Sequence, residues 1–201
     1  MIKNIKSFFL RFYNRLYNKF IYKDCKLLLK FKYLRNIENK SVKFVLVCDS
    51  NVDVLNKLRS FEDFKIIDDL RSLVLSGQYC YLGFINEECV FRTLLIKGPV
   101  EVEINNSLKM FLSVNQIYIH YSETNVNYRN KKIFQSALSF ISLNYCEDYE
   151  ILIAVDKNNL FSYKAMVRAG FEIVHTLDFK KLFFVFLLNN KILLKNRISI
   201  N

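Results

Sequence analysis

The chain has 201 residues, 52% hydrophobic and 15% aromatic, with 19 Phe and 12 Tyr, which excludes wholesale disorder because such a composition can bury a sizeable core. Four Gly and one Pro exclude collagen-like, linker-like and proline-rich classes, and neither G-x-x-x-x-G-K nor G-x-G-x-x-G occurs. The formal charge is +11, and nine of those charges fall in residues 1–40, where eleven basic residues stand against Asp24 and Glu38; an anionic partner suits such a segment.

Residues 1–36 read as a basic amphipathic extension ahead of a main domain over 37–201. Ile5, Phe8, Phe9, Phe12, Leu16 and Phe20 recur at three- and four-residue steps, which predicts helix through 2–35. A basic helix with an aromatic face suits a membrane surface or a glycolipid. Packing on its own domain or on a second subunit is the alternative, and nucleic acid is the least favoured partner. Arg11 and Arg15 interrupt any apolar signal region, and Ser72 to Asn86, the longest uncharged stretch, is too short to cross a bilayer. A cytoplasmic protein, peripheral at the inner membrane face, is expected. Cys25, Cys48, Cys80, Cys89 and Cys146 are far apart, with no C-x-x-C and only two His in the chain. They read as thiols of a reducing compartment, and no metal site is expected.

From Ser41 onward the pattern becomes that of an α/β domain. Val42 to Val47 is a buried strand. Asp49, Ser50 and Asn51 cap a helix over Val52 to Phe61, and Phe64 to Leu75 is a second helix, stopped by Gly77. Tyr79 to Ile85 and Cys89 to Ile96 form a hairpin through Asn86-Glu87-Glu88. Gly98-Pro99 breaks the chain, and Val100 to Ile104 alternates as a half-exposed strand does. Strands follow at Gln116–Thr124, Glu150–Val155, Phe171–Leu177 and Leu182–Leu188. Helices are expected at Arg129–Tyr145 and Asn159–Ala169.

Two motifs in the second half resemble the GNAT N-acetyltransferase superfamily. Ile117 to Thr124, then Tyr128-Arg129, then Asn130 to Leu138 looks like that family's central strand, tyrosine-arginine turn and following helix. Ile151 to Val155, then Asn159-Leu160-Phe161-Ser162, then Ala169-Gly170-Phe171 looks like its next strand, its "N-x-x-S/A" helix start and its terminal "G-F". The resemblance implies a mixed, mostly antiparallel central sheet flanked by helices, here with an N-terminal helical extension. It also implies acetyl-CoA as co-substrate. Thr124 at the strand end would meet the pantetheine arm. Arg129, Asn130, Lys131, Lys132, Ile133 and Phe134 would hold the pyrophosphate at a helix N-terminus, where the dipole favours an anion. Asn159 and Ser162 would complete the cofactor site. The chain departs from the family's Arg/Gln-x-x-Gly-x-Gly/Ala pattern, because Lys132 and Phe134 stand at the two small positions. Met166 stands where many members carry a tyrosine that protonates the thiolate.

Amine acetylation needs a proton acceptor. In the family it often lies on the central strand nine or eleven residues before the motif arginine, which here gives His120 and Tyr118. His120 titrates near neutral pH when unperturbed; Glu123 is the alternative. The resulting expectation is an N-acetyltransferase acting on the primary amine of a small molecule or sugar. The alternatives are a catalytically degenerate GNAT-fold binding protein, an acyltransferase with an acyl-carrier-protein donor, and a membrane-surface module. The sequence leaves the oligomeric state open.

Overall fold

The computed structural model describes residues 21–35, 37–105, 108–182, 185–188, 191–192 and 197–199, with side-chain surroundings from residue 24 to residue 178. In chain order the elements are β1 (Ile21–Phe31), β2 (Lys43–Val47), a 3-10 segment (Asp49–Ser60), α1 (Phe64–Leu75), β3 (Tyr79–Ile85), β4 (Glu88–Lys97), β5 (Val100–Asn105) and β6 (Leu108–Leu112). Next come β7 (Gln116–Thr124), a short 3-10 turn (Val126–Tyr128), α2 (Ile133–Tyr145), β8 (Glu150–Asp156), α3 (Leu160–Arg168) and β9 (Phe171–Leu182). β10 (Val185–Leu188), β11 (Lys191–Ile192) and β12 (Arg197–Ser199) are the last described elements. The main sheet has the order β11-β10-β9-β1-β8-β7-β4-β3-β2, and a smaller sheet has the order β12-β6-β5. In the main sheet β7 and β8 run parallel and the other neighbours run antiparallel. The expected mixed, mostly antiparallel sheet with flanking helices is what forms.

The N-terminal expectation needs correction. Residues 21–31 are not helix but strand β1, which lies inside the sheet between β8 and β9. A division of the chain at 36/37 therefore cuts through the sheet. The reason lies in Leu27-Leu28-Leu29. Leu28 packs with Tyr118, Leu152 and Leu177 on one face, while Leu27 and Leu29 pack with Ile153 and Phe171 on the other. A strand covered on both faces carries a continuous apolar run, and that run overrides the helical period read upstream. The helix expected over residues 2–20 lies outside the described residues.

Three smaller differences follow. The helix expected over Val52–Phe61 is the 3-10 segment, kinked at Asn51. There the Asn51 amide receives the Cys48 N–H at 2.8 Å and donates to the Leu46 carbonyl at 3.0 Å, pinning the chain as it leaves β2. β6 appears where no strand was expected; Leu108, Met110 and Leu112 alternate inward from it. The expected strand at 182–188 is β10, with residues 183–184 outside the described residues.

The main sheet is covered differently on its two faces. α2 and α3 lie on one, over Leu95, Ile117, Ile119, Ile151 and Ile153. On the other, α1 and the 3-10 segment cover Cys80, Leu82 and Leu94, while β5 and β6 cover Tyr118, Leu152 and Leu28. Gly170 ends α3 at φ +96°, and a Cβ there would stand 1.9 Å from the Tyr33 carbonyl oxygen, so only glycine fits. That close approach ties the chain after β1 to the end of α3.

Candidate active site

The pairing of β7 with β8 runs from Gln116↔Glu150 to Ile119↔Ile153 and stops. Beyond it each strand keeps its outer neighbour: β7 stays with β4 to Phe91↔Thr124, and β8 stays with β1 to Lys26↔Asp156. Two parallel strands held from outside thus part from each other. A cavity of about 1010 Å³ fills the gap, lined by His120 to Thr124 of β7 and Ile153 to Asp156 of β8. The start of α2 and one side of α3 close it.

A bulge shapes the β7 wall. Between the pairs Leu94↔His120 and Arg92↔Glu123, β7 spends one residue more than β4, and Tyr121 takes φ +50°. The Thr93 hydroxyl donates to the His120 carbonyl at 3.1 Å, and the Arg92 guanidinium donates to the Tyr121 carbonyl at 2.5 Å. A trans peptide holds its N–H opposite its C=O. The N–H groups of Tyr121 and Ser122 therefore both turn away from those β4 side chains. Two successive N–H groups around a left-handed residue make a small anion-binding concavity.

The wide end of the gap is built by the turn after β7. The Asn125 side chain receives the Asn127 N–H at 3.1 Å, and the Asn125 N–H donates to the Val90 carbonyl at 2.9 Å. Asn130 and Lys132 both adopt positive φ, +64° and +58°. The family's first small position thus coincides with a backbone shape that favours glycine, and Lys132 occupies it at a strain of about 1–3 kcal/mol. Lys132 is the N-cap of α2 without a side-chain cap, and the Ser136 N–H is the first to bond within the helix, to the Lys132 carbonyl. The N–H groups of Ile133, Phe134 and Gln135 precede that bond, and all three residues line the cavity. Phe134 fills the second small position, but its ring packs on Phe91 at 6.2 Å between centroids, so the core absorbs part of its bulk.

Most of the sequence-derived site residues meet here. His120, Glu123, Thr124, Arg129, Asn130, Lys132, Ile133, Phe134, Asn159 and Ser162 all line the cavity. Lys131 does not; its ammonium lies 4.4 Å from the Tyr128 ring centroid. Tyr118 is also apart. It is buried under β5 and β6, and burial raises its phenol far above the ordinary range. It does stack against His120, with centroids 5.6 Å apart. His120 Nε2–H donates to Gln78 Oε1 at 2.9 Å, and burial lowers its pKa to about 4, so the ring is neutral near pH 7. Glu123 accepts from Arg129 Nη2 at 2.8 Å, and Arg129 Nε also donates to the Thr124 carbonyl at 3.3 Å. Asn159 caps α3, receiving the Ser162 N–H at 3.1 Å. Met166 is buried beneath the cavity, and Tyr163, also on α3, is partly buried against the core.

The charges around the cavity do not balance. Of the two carboxylates lining it, Glu123 is paired with Arg129, and Asp156 is paired with Lys26 at 3.1 Å. The Asn158 N–H, ahead of Lys26, keeps the Asp156 carboxyl low. Lys132, Lys164 and Arg168 line the cavity without a carboxylate partner among the described residues. Lys164 and Arg168 stand one helical turn apart on α3, a spacing that puts both on the same side. Sequence reasoning missed these two cations, as well as Gln78, Arg92 and Glu62; the basic (i, i+4) pair beside the Asn159 cap was the available signal. Among the described residues no group of three His, Cys, Asp or Glu is arranged to hold a metal ion, and no helix is long and apolar enough to cross a membrane.

No protein-family profile matches the sequence, and no curated protein matches it. Solved structures do match. An acetyltransferase of the GNAT family from Colwellia psychrerythraea superposes at TM-score 0.57 with 10% identity, covering 80% of this chain and 57% of its own. A protein of unknown function from Staphylococcus epidermidis superposes at 0.54 with 11% identity, covering 81% and 62%. A GCN5-related N-acetyltransferase-like protein from Streptococcus suis superposes at 0.51 with 10% identity, covering 85% and 66%. The chain spans about three fifths of the length of these structures. At such identity the likeness is one of fold, and the fold is that of the GNAT acetyltransferases.

Proposed function

From a GNAT fold whose central strands part over a cationic cavity, we propose that the chain is an N-acetyltransferase moving acetyl from acetyl-CoA to a primary amine of a small molecule or sugar. The parting of β7 and β8 after Ile119 and Ile153 carries this reading. It gives an extended thioester arm a slot with unpaired strand backbone on one side and a helix N-terminus at its wide end.

In this reading the pantetheine amides bond along β7 near Thr124. The pyrophosphate lies on the N–H groups of Ile133 to Gln135, with Lys132 beside it. Arg129 exchanges the Glu123 carboxylate for phosphate. Lys164 and Arg168 meet the remaining phosphate of CoA. The thioester oxygen faces the N–H groups of Tyr121 and Ser122, which stabilise the charge it gains as the amine attacks. The amine nitrogen bonds to the carbonyl carbon, the C–S bond breaks, and the thiolate leaves. Neutral His120 accepts the amine proton, directly or through one water, once bonding to the carbonyl has made that proton acidic. The thiolate draws its proton from solvent, since Met166 offers none.

The test is calorimetric titration with acetyl-CoA, CoA and a longer acyl-CoA, followed by an amine-acceptor screen. Saturable micromolar binding and acetyl transfer are expected. No binding of any of the three would overturn the donor assignment. Binding without transfer to any amine would favour the binding-protein alternative, which the thioether at Met166 supports.

A further inference from the structure

The bulge in β7 is held by a device that the cavity itself does not contain. Glu62 follows the 3-10 segment and Arg92 lies on β4, 30 residues apart, and their side chains are 7% and 9% exposed. Arg92 Nε–H donates to Glu62 Oε1 at 2.6 Å, and its Nη1 donates to the Tyr121 carbonyl. Thr93, also buried, donates to the His120 carbonyl and receives the Ser122 hydroxyl at 2.7 Å. Two adjacent carbonyls of the bulge are therefore tied to two adjacent β4 side chains. Neither Arg92 nor Thr93 lines the cavity.

Burying an ion pair is expensive, and a well-packed apolar pair often serves stability as well or better. The pair here does something an apolar pair cannot. A guanidinium forks, so one end stays anchored on Glu62 while the other fixes a carbonyl. Tyr121 needs such fixing, because it holds a left-handed φ that a bulky residue disfavours, and its side chain is 63% exposed. If the Tyr121 carbonyl were released, the 121–122 peptide would be free to rotate, and the Ser122 N–H would leave the cavity with it. We propose that Arg92, anchored by Glu62, and Thr93 are positioning residues that aim the Tyr121 and Ser122 N–H groups at the acyl carbonyl. The aim at a carbonyl rests on the acetyl-CoA reading; the control of the bulge does not.

Three variants test it. Arg92→Lys keeps the charge on Glu62 but loses the fork. Thr93→Val removes the hydroxyl at nearly constant shape, and Thr93→Ser restores it. The first measurement needs no ligand: the assigned amide spectrum of the full chain. Arg92→Lys and Thr93→Val should displace the Tyr121 and Ser122 signals, with Thr93→Ser returning them. Unmoved signals in Arg92→Lys and Thr93→Val would overturn the proposal whatever the ligand. The second measurement is the infrared carbonyl stretch of bound acetyl-CoA carrying 13C at the acyl carbon. It should fall on binding to the native chain and return toward its solution frequency in Thr93→Val, with CoA affinity changed less than threefold. A stretch equally displaced in native and Thr93→Val protein would overturn the positioning role. Failure of the native chain to bind acetyl-CoA would remove the donor reading and the aim at a carbonyl with it, while the amide spectrum would still decide whether the clamp sets the bulge.

Discussion

Arg129 is engaged before any donor arrives. Its bond to Glu123 is half exposed, so the pair is worth at most about 1 kcal/mol. A phosphate bond replacing it gains about 1.5–3 kcal/mol. Arg129→Ala should therefore weaken acetyl-CoA binding roughly tenfold, and Glu123→Gln, which frees the guanidinium, should tighten it by up to about fivefold. Titration calorimetry on both variants checks this, and a Glu123→Gln that binds more weakly would remove the exchange from the account. His120 gives a pH prediction. Burial lowers its pKa from 6.5 to about 4, so between those values the unfolded chain binds more protons than the folded one. The associated stability is present in full above pH 6.5 and is lost as pH falls toward 4, at most about 3 kcal/mol. Urea midpoints between pH 4 and pH 7 should fall more steeply for the native chain than for His120→Gln. Equal slopes would mean that the ring is wet and titrates normally.

At the scale of elements, β1 is the test case, because it converts a segment read as an appendage into a central strand. Leu28 is fully buried on the face opposite Leu29. Leu28→Ala should cost about 2–5 kcal/mol, as truncation of a packed leucine does, whereas Leu34→Ala, at a 46% exposed position, should stay within about 0.5 kcal/mol. Denaturant unfolding of both variants measures it; a Leu28→Ala cost below the Leu34→Ala cost would detach β1 from the core. The same strand shows where sequence reading succeeds and stops. α1 and β7 are readable to the residue, since Gly77 stops the one and the other is a run rich in isoleucine and tyrosine. β1 is not, because its apolar run is short and follows a stretch with helical period. The start of α2 is readable only loosely, since Arg129 to Lys132 form the turn and not the helix. At the site, the cavity wall from His120 to Phe134 is local in sequence and can be found by spacing. The Glu62–Arg92 clamp and the Gln78 contact to His120 join distant segments, and no spacing rule announces them.

Across the whole molecule the charge has two locations. One is the basic N-terminal stretch, which holds nine of the eleven net charges by residue 40. The other is the cavity, with Lys132, Lys164 and Arg168 lacking carboxylate partners among the described residues. β1 runs antiparallel to β8, so its first residues lie beyond Asp156, at the end of the sheet where the cavity opens. The cavity cations act on any ligand approaching that end, and an oppositely charged ligand arrives faster than a neutral one, by a margin that salt erodes. Under the proposed acetyl transfer, the cavity charges also bear on which thioester is the donor. A carrier-protein donor brings one phosphodiester, whereas CoA brings a pyrophosphate and a phosphomonoester, and three unpaired cations match the second set better. Acetyl-CoA should bind more tightly than its dephospho form, and acetyl-CoA affinity should fall steeply between 50 mM and 500 mM salt. Acetyl-pantetheine, without phosphate, should bind weakly and with little salt dependence. In Lys164→Ala/Arg168→Ala the difference between acetyl-CoA and its dephospho form should shrink to less than threefold, read by calorimetry at low salt. If the double variant keeps the full difference, another surface reads that phosphate. If the native chain binds the two forms alike, the carrier-protein donor regains its place and the basic N-terminal stretch becomes the site to test against an acidic carrier.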